Sequence, residues 1–315
     1  MKDVNTMKLS FVIPCYRSER TIEGVVREIR SIVAERPKTD YEIVMVSDHS
    51  PDCVYDVISR ICREDPAHYK GMELARNFGQ QSALMAGYSR ADGDIVISLD
   101  DDGQSPVDAI FALVDAIENG ADVAVGAYPV KKHSVFRNFG TRVNSWMTEW
   151  LLDKPRHIQM TSFFAMRRFV ADAVLEYKGP FPYLGGLLFR ITRNLVNVEV
   201  AHRERALGAS GYTLAKLLGL WMNGFTAFSV KPLRLATWTG FICAALGFAL
   251  GFWTVVNKLF VNPGAPAGYS SILSAIMFIG GIIMLILGLI GEYVGRMYIC
   301  LNNSPQYIVS KETSA

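Results

Sequence analysis

The sequence predicts an α/β fold with a doubly wound, mostly parallel sheet, followed by an amphipathic region and a pair of transmembrane helices. Three observations carry that prediction. From residue 9 to about 130 short β-branched runs alternate with amphipathic segments; residues 235–256 and 272–290 lack every charged side chain; and the stretch DIVISLDDDGQSP ends an apolar run in three successive carboxylates. Alternating strand and helix patterns specify parallel strands joined by helical crossovers, with helices on both faces of the sheet.

Taken in order, LSFVIP, YEIVMVS, KGMEL, DIVISL and ADVAVGAY read as buried strands, and segments near 21–35, 53–63, 80–90 and 108–119 read as the intervening helices. Open sheets of this kind bind ligands beyond the carboxyl ends of their strands. Chemistry is therefore expected in residues 15–20, 48–52, 75–79 and 100–104. Past residue 130 the pattern loosens: KKHSVFRNFGTR is basic, MTSFFAMRRF is a short apolar run ending in two arginines, KGPFPYLGG is loop-like, and HRERALGASGYT adds positive charge. TLAKLLGLWMNGFTAFSV then carries large apolar residues at helical spacing, as a helix lying in a membrane interface does; an ordinary packing helix has the same pattern.

The chain has 315 residues, 50% hydrophobic and 20% charged, so an α/β core can be filled with apolar sequence to spare. The two uncharged runs match the ~20 residues that cross a bilayer, and soluble cores rarely need two such runs after a complete α/β pattern. Lys231, Arg234 and Arg296 flank their open ends, whereas the connector NKLFVNPGAPAGYSS holds one Lys. Positive charge stays on the cytoplasmic side, which predicts both termini in the cytoplasm. The opening MKDVNTMK lacks an apolar core, so targeting is expected from the hairpin rather than from a signal peptide. Five cysteines, an odd number with no CxxC pair, predict free thiols in a reducing compartment. A net charge of +2 gives no argument for nucleic acid as a partner.

The acidic triplet raises the sharpest question. Alternation along a strand sends neighbours to opposite sides, so Asp100 and Asp102 can converge on one point while Asp101 turns away. An oxygen-rich site with few protein ligands suits Mg²⁺ or Mn²⁺, whose other positions are taken by water and substrate phosphates. The plainer alternative is an acidic turn that caps the next helix.

FVIPCYRSE, VSDHSPD, ARNFGQQSALMAG and LDDDGQSP, in that order, resemble the signature of family 2 glycosyltransferases of the GT-A fold. With the apolar hairpin and the closing GEYVGRMYICLNNSPQYIV, the chain from about residue 8 to 309 resembles the bacterial polyprenyl-phosphate glycosyltransferases (the bactoprenol glycosyltransferases), relatives of dolichol-phosphate mannose synthase. The resemblance implies a cytoplasmic GT-A domain over 1–210, an interfacial segment over 211–234, a transmembrane hairpin over 235–297 and a cytoplasmic tail over 298–315. It also implies a nucleotide-sugar donor, a polyprenyl-phosphate acceptor, a divalent metal and a homotetramer. By the same resemblance Pro14, Tyr16 and Glu19 wall the nucleotide pocket, Asp48 reads the base and Arg76 contacts the pyrophosphate. Asp100 and Asp102 hold the metal, Asp101 lies with the nucleotide contacts, and Gln104 lies near the sugar. Each has a plainer role open to it: Tyr16 as a surface aromatic, Asp48 as a turn residue, Arg76 as cover for the sheet edge.

A lipid phosphate with a second pKa of ~6 is mostly dianionic at neutral pH, so the reaction needs cations that gather two anions more than it needs a base. Arg137, Arg142, Arg168, Arg203 and Arg205 are the candidates, with Arg137 and Arg168 favoured as catalytic. Two departures from the family pattern stand out: His49 where Gly is usual, and Ser162 and Phe164 where some relatives carry an acid and an Arg. Other classes remain open at this point, namely a membrane-tethered sugar-nucleotide hydrolase or nucleotidyltransferase, or a non-catalytic nucleotide-binding scaffold. A processive polysaccharide synthase would call for more spans and a QxxRW motif.

Overall fold

β1 (Met7–Cys15) stands between two parallel neighbours, β2 (Thr39–Ser47) and β4 (Ile95–Ser98), and its Leu9, Phe11, Val12 and Ile13 are wholly buried. A strand covered on both faces needs apolar residues at successive positions, which is why LSFVIP is continuous rather than alternating. The structure, a computed structural model, describes residues 7–128, 155, 158–201, separate positions between 236 and 260, 268–302 and 304–313. They fall into two units, Met1–Thr213 with Asn303–Ala315, and Leu214–Asn302.

In the first unit β3 (Tyr69–Leu74) and β5 (Val123–Ala127) complete the expected strands. The connecting helices are α1 (Ile22–Ala34), α2 (Val54–Glu64), α3 (Gln80–Tyr88) and α4 (Ile110–Glu118), the last entered through a short 3₁₀ turn at Val107–Ala109. α1 buries Ile22, Val25, Val26, Ile29 and Val33, the three-and-four spacing of a one-sided amphipathic helix. α3 is buried along most of its length and lies close on the sheet; a Cβ on Gly87 would stand 2.3 Å from Val12 Cγ1, so no larger residue fits there.

The strand order is β7-β5-β6-β4-β1-β2-β3-β8 in one eight-stranded sheet. β1 to β3 build outward on one side of β1, and the chain then returns to β4 on its other side. This reversal makes the carboxyl ends of β1 and β4 the crevice where an open sheet takes its ligand. Pairing between β1 and β4 stops at Val12 and Ser98, so Pro14, which has no N–H to offer, stands where the two strands have already parted.

Three strands lie outside the regular pattern. β6 (Phe164–Arg167), the apolar core of MTSFFAMRRF, runs antiparallel between β4 and β5, with Ser98 opposite Phe164 and Ile95 opposite Arg167. It is followed by α5 (Arg168–Leu175), α6 (Leu184–Ile191) and β7 (Leu195–Glu199), the last parallel to β5. KGPFPYLGG, loop-like in sequence, already includes the first turn of α6. β8 (Val309–Glu312) pairs antiparallel with β3 at the sheet's edge. The Arg90 guanidinium holds Glu312 at 2.7 and 3.2 Å, Lys311 meets Glu73 at 2.7 Å, and Thr313 N–H donates to Gly71 O at 2.8 Å. These contacts cover an edge that would otherwise offer unpaired amides to another chain.

In the second unit α7 (Tyr269–Leu301) runs for 33 residues. Within it Phe278–Leu301 is long and apolar enough to cross a bilayer and none of it is buried. A shorter apolar helix, Gly240–Ala249, lies in the first uncharged run. Two transmembrane helices are expected from the sequence; among the described residues one helix has the length. The interfacial segment 211–234 lies outside the described residues.

Candidate active site

The loops after β1, β2, β3 and β4 are stitched to one another by backbone donors and short polar side chains. Tyr16 N–H donates to Asp101 Oδ2 at 2.9 Å, joining the first loop to the acidic turn. Arg17 N–H donates to Ser50 Oγ at 2.7 Å and Glu19 N–H to Asp52 Oδ2 at 3.1 Å, while Cys53 N–H donates back to Glu19 Oε2 at 2.9 Å. Asp48 is buried after β2, and its two oxygens accept from Phe78 N–H at 2.7 Å and Gly79 N–H at 2.8 Å. Burial pushes the Asp48 carboxyl up, and those two amides work against the rise.

Within the acidic turn the three carboxylates part company. Asp101 turns inward; burial pushes it up to about 6, the Ser18 hydroxyl and Tyr16 N–H pull it down, and the charges of Asp100 and Asp102 raise it further. Asp100 accepts from Gln80 Nε2 at 2.8 Å on one oxygen and from Ser162 Oγ on the other. Asp102 accepts from Gln104 N–H at 3.0 Å, across a turn that Gly103 completes at φ 74°. Tyr128, just past β5, is raised by burial and then by the charges of Asp100 and Asp102. Asp101 and Asp100 thus meet different partners, Asp101 the first loop and Asp100 the start of α3 and the Ser162 segment.

Two residues in this region hold left-handed backbone without being Gly: Arg17 at φ 59° and His49 at φ 50°. His49 takes up the conformation that explains a Gly at that place in the family pattern, at a cost of roughly 1–2 kcal/mol for an L side chain. Arg17 also lies over the Tyr16 ring at 5.6 Å, and Arg76 over the Phe78 ring at 4.7 Å.

Residues 10–175 match the model of "Glycosyl transferase family 2", and residues 231–297 match that of the "GtrB C-terminal hairpin". The chain belongs to glycosyl transferase family 2. It is 32% identical over 310 residues to the uncharacterized glycosyltransferase YkcC of Bacillus subtilis, covering 97% of this chain and 94% of that one. It is 32% identical over 313 residues to the SfII prophage-derived bactoprenol glucosyl transferase of Shigella flexneri, covering 97% and 98%. To the undecaprenyl-phosphate 4-deoxy-4-formamido-L-arabinose transferase of Yersinia enterocolitica it is 31% identical over 309 residues, covering 98% and 94%. The family 2 domain and hairpin together place the chain among the polyprenyl-phosphate glycosyltransferases. In fold it is similar to glucosyl-3-phosphoglycerate synthase of Mycobacterium tuberculosis, solved with Mn²⁺ and UDP-glucose, at TM-score 0.51 and 18% identity over 70% of this chain and 77% of that one.

Measured against this family 2 scaffold, Tyr16, Asp48, Arg76, Asp100, Asp101, Asp102 and Gln104 all lie in the loops beyond the carboxyl ends of β1 to β4. Tyr16 is 45% exposed and open to a ligand, whereas Pro14 is buried inside β1 opposite Val46. Glu19 spends one carboxylate oxygen on the start of α2. Arg168 is not brought to the acidic turn. Because β6 is antiparallel to β4, the residue after its end sits beside Asp94, before β4 begins; there Arg168 donates to Ala91 O and to Asp172 Oδ1. Arg137, Arg142, Arg203 and Arg205 lie outside the described residues. Gln80 is a member of the site that sequence patterns did not single out, and Ser162, noted in the sequence only as a departure from the family pattern, also meets Asp100. The antiparallel return of TSFFAM is what carries Ser162 there, and four residues of strand are too few to show a period.

Proposed function

We propose that this chain transfers a sugar from a UDP-sugar to undecaprenyl phosphate with inversion at the anomeric carbon, at the cytoplasmic face of the inner membrane, for a cell-surface polysaccharide or lipid modification. The observation that carries the reading is the acidic turn at the β1/β4 reversal, where Asp101 accepts from Tyr16 N–H and Asp100 accepts from Gln80 and Ser162.

Asp100 and Asp102 offer two carboxylates, and among the described residues no group of three or more His, Cys, Asp or Glu could hold a metal ion alone. That donor set fits Mg²⁺ or Mn²⁺ completed by a substrate diphosphate and water, and the structural relative from Mycobacterium tuberculosis was solved with Mn²⁺ and UDP-glucose. Asp100 and Asp102 would hold the ion, which when bound supplies charge to stabilise the departing nucleotide. Tyr16 offers its exposed ring to the base or ribose, and Asp48 fixes the loop that presents Arg76 to the diphosphate. An oxygen of the lipid phosphate attacks the anomeric carbon as the bond from that carbon to the diphosphate breaks; UDP leaves, and an α-linked donor yields a β-linked lipid-phosphate sugar. The dianionic acceptor carries no proton that must be removed, in keeping with a serine, Ser162, at the place where some relatives carry an acid.

Connectivity supports the membrane topology. The chain leaves the first unit after Thr213 and returns to it at Asn303, ahead of β8, which is hydrogen bonded to β3. Any segment between those points must therefore cross a bilayer an even number of times, so a crossing by α7 requires a partner span in the first apolar run. Purified protein with undecaprenyl phosphate, Mn²⁺ and a panel of labelled nucleotide sugars tests the whole reading: label entering the lipid phase from a UDP-sugar supports it. Release of free sugar or pyrophosphate without lipid overturns it.

A further inference from the structure

We infer that Ser162 and Gln80 are positioning residues that orient the Asp100 carboxylate for the donor's cation, an inference that rests on the proposed reading of the acidic turn as a metal and diphosphate site. The two donors come from different parts of the fold. Gln80 opens α3, and Ser162 stands two residues before β6. Each occupies a different oxygen, Gln80 Nε2 on Oδ1 and Ser162 Oγ on Oδ2, and Asp100 N–H donates to Ser105 Oγ at 3.2 Å. The χ2 torsion of an aspartate is broad and nearly two-fold, so a lone strand-end Asp would sample many carboxylate orientations. A donor on each oxygen selects one. A carboxylate accepts at about four positions, so one hydrogen bond on an oxygen does not by itself bar a cation.

The chemistry of the two donors fits this role. Both are neutral, so they fix direction without cancelling charge, whereas a Lys or Arg in either place would compete with the metal. The segments that carry them are tied to their neighbours. Leu184 N–H donates to Gln81 Oε1 at 3.0 Å, next to Gln80 in α3. Thr161 Oγ1 lies 2.8 Å from Gly126 O, and Gly126 N–H donates to Phe163 O at 2.9 Å, which seats the Ser162 segment against the end of β5. Gly126 permits that approach, since a Cβ there would stand 2.6 Å from the Phe163 ring.

The test compares full-length wild-type protein with Ser162→Ala and Ser162→Thr, measuring Mn²⁺ affinity in the presence of UDP by calorimetry, KM and kcat for transfer, and thermal stability. Removing an outer partner of a metal ligand costs about 10–100-fold in metal affinity or activity, so Ser162→Ala should weaken Mn²⁺ binding at least about tenfold, with Tm within about 2 °C of wild type. Ser162→Thr, which keeps the hydroxyl, should return affinity to within about threefold of wild type. Wild-type Mn²⁺ affinity in Ser162→Ala, or a Thr variant as weak as the Ala variant, overturns the inference while leaving the proposed transfer intact. If wild-type protein itself shows neither UDP-dependent Mn²⁺ binding nor transfer, the reading of the acidic turn fails and this inference with it.

Discussion

Glu42 and Asp101 are both acids drawn inside the same sheet, and burial acts on them with opposite outcomes. Glu42, in the amino-terminal half of β2, is wholly buried; burial raises its pKa, but Lys70, the Ser10 hydroxyl and the Asp92 N–H together outweigh it and bring the group down to about 2. Lys70 Nζ lies 2.8 Å and Lys8 Nζ 3.2 Å from the carboxylate. Asp101, past the carboxyl end of β4, meets a hydroxyl and an amide while two further carboxylates stand beside it, and it rises to about 6. The first centre is internally compensated and belongs to folding. The second concentrates negative charge at a ligand crevice, the pattern of a site that waits for a partner from solution.

Exchanges at the two centres separate these roles. The largest effect is expected from Asp102→Asn: transfer should fall by at least about 100-fold, because a bound cation stabilises developing charge by several kcal/mol and each ~1.4 kcal/mol is tenfold in rate. Label entering the lipid phase measures the fall, and an unchanged melting curve shows that the fold persists. Glu42→Gln should do the converse, costing about 2–3 kcal/mol, less than the ~3–5 kcal/mol of a fully buried broken pair because its lysines are partly exposed, and leaving turnover per folded molecule unaltered. A Glu42→Gln protein that melts normally but has lost transfer would erase the distinction between the centres.

The same contrast extends to pH. Glu42 holds its proton less tightly folded than at its ordinary 4.5, so its stabilisation is present above that value and is lost as pH falls toward about 2. Chemical denaturation at pH 6, 4 and 3 should show wild-type stability falling and the Glu42→Gln curve flatter over that window; parallel curves would remove Glu42 from the acid sensitivity. A milder change is expected from Gly126→Ala, where the Cβ meets the Phe163 ring at 2.6 Å; overpacking should cost about 1–3 kcal/mol in a urea titration. The smallest belongs to Arg168→Gln. Its guanidinium serves Ala91 O and Asp172 at the end of the sheet away from the acidic turn, so transfer should stay within about twofold of wild type, with a stability loss of about 1 kcal/mol. A large loss of transfer there would return Arg168 to the site.

The regular half of the fold is legible in the residues because its signals are local. β1 to β5 and α1 to α4 announce themselves through periodicity, and parallel crossovers leave little freedom in their order. The acidic turn is legible for the same reason, as three successive carboxylates just past an apolar run, but β4 ends at Ser98 and the triplet lies in a turn, where alternation does not set the side chains' directions. β6 and β8 are not legible, being four residues each and stabilised by partners far along the chain. Missing the direction of β6 is what made Arg168 attractive and left Ser162 noted only as a departure from the family pattern, since an antiparallel strand exchanges which of its ends meets the crevice.

Sequence alone therefore established the family 2 scaffold, the acidic triplet past the fourth strand and the two uncharged runs, all of which depend on neighbours a few residues apart. Tertiary structure decided which distant groups meet: that Ser162 and Gln80 grip Asp100, that Asp48 anchors the Phe78–Gly79 amides, and that the last strand rejoins β3. Those pairings join residues 20 to more than 200 positions apart. No local pattern encodes them, because each is fixed by the direction in which a strand enters the sheet.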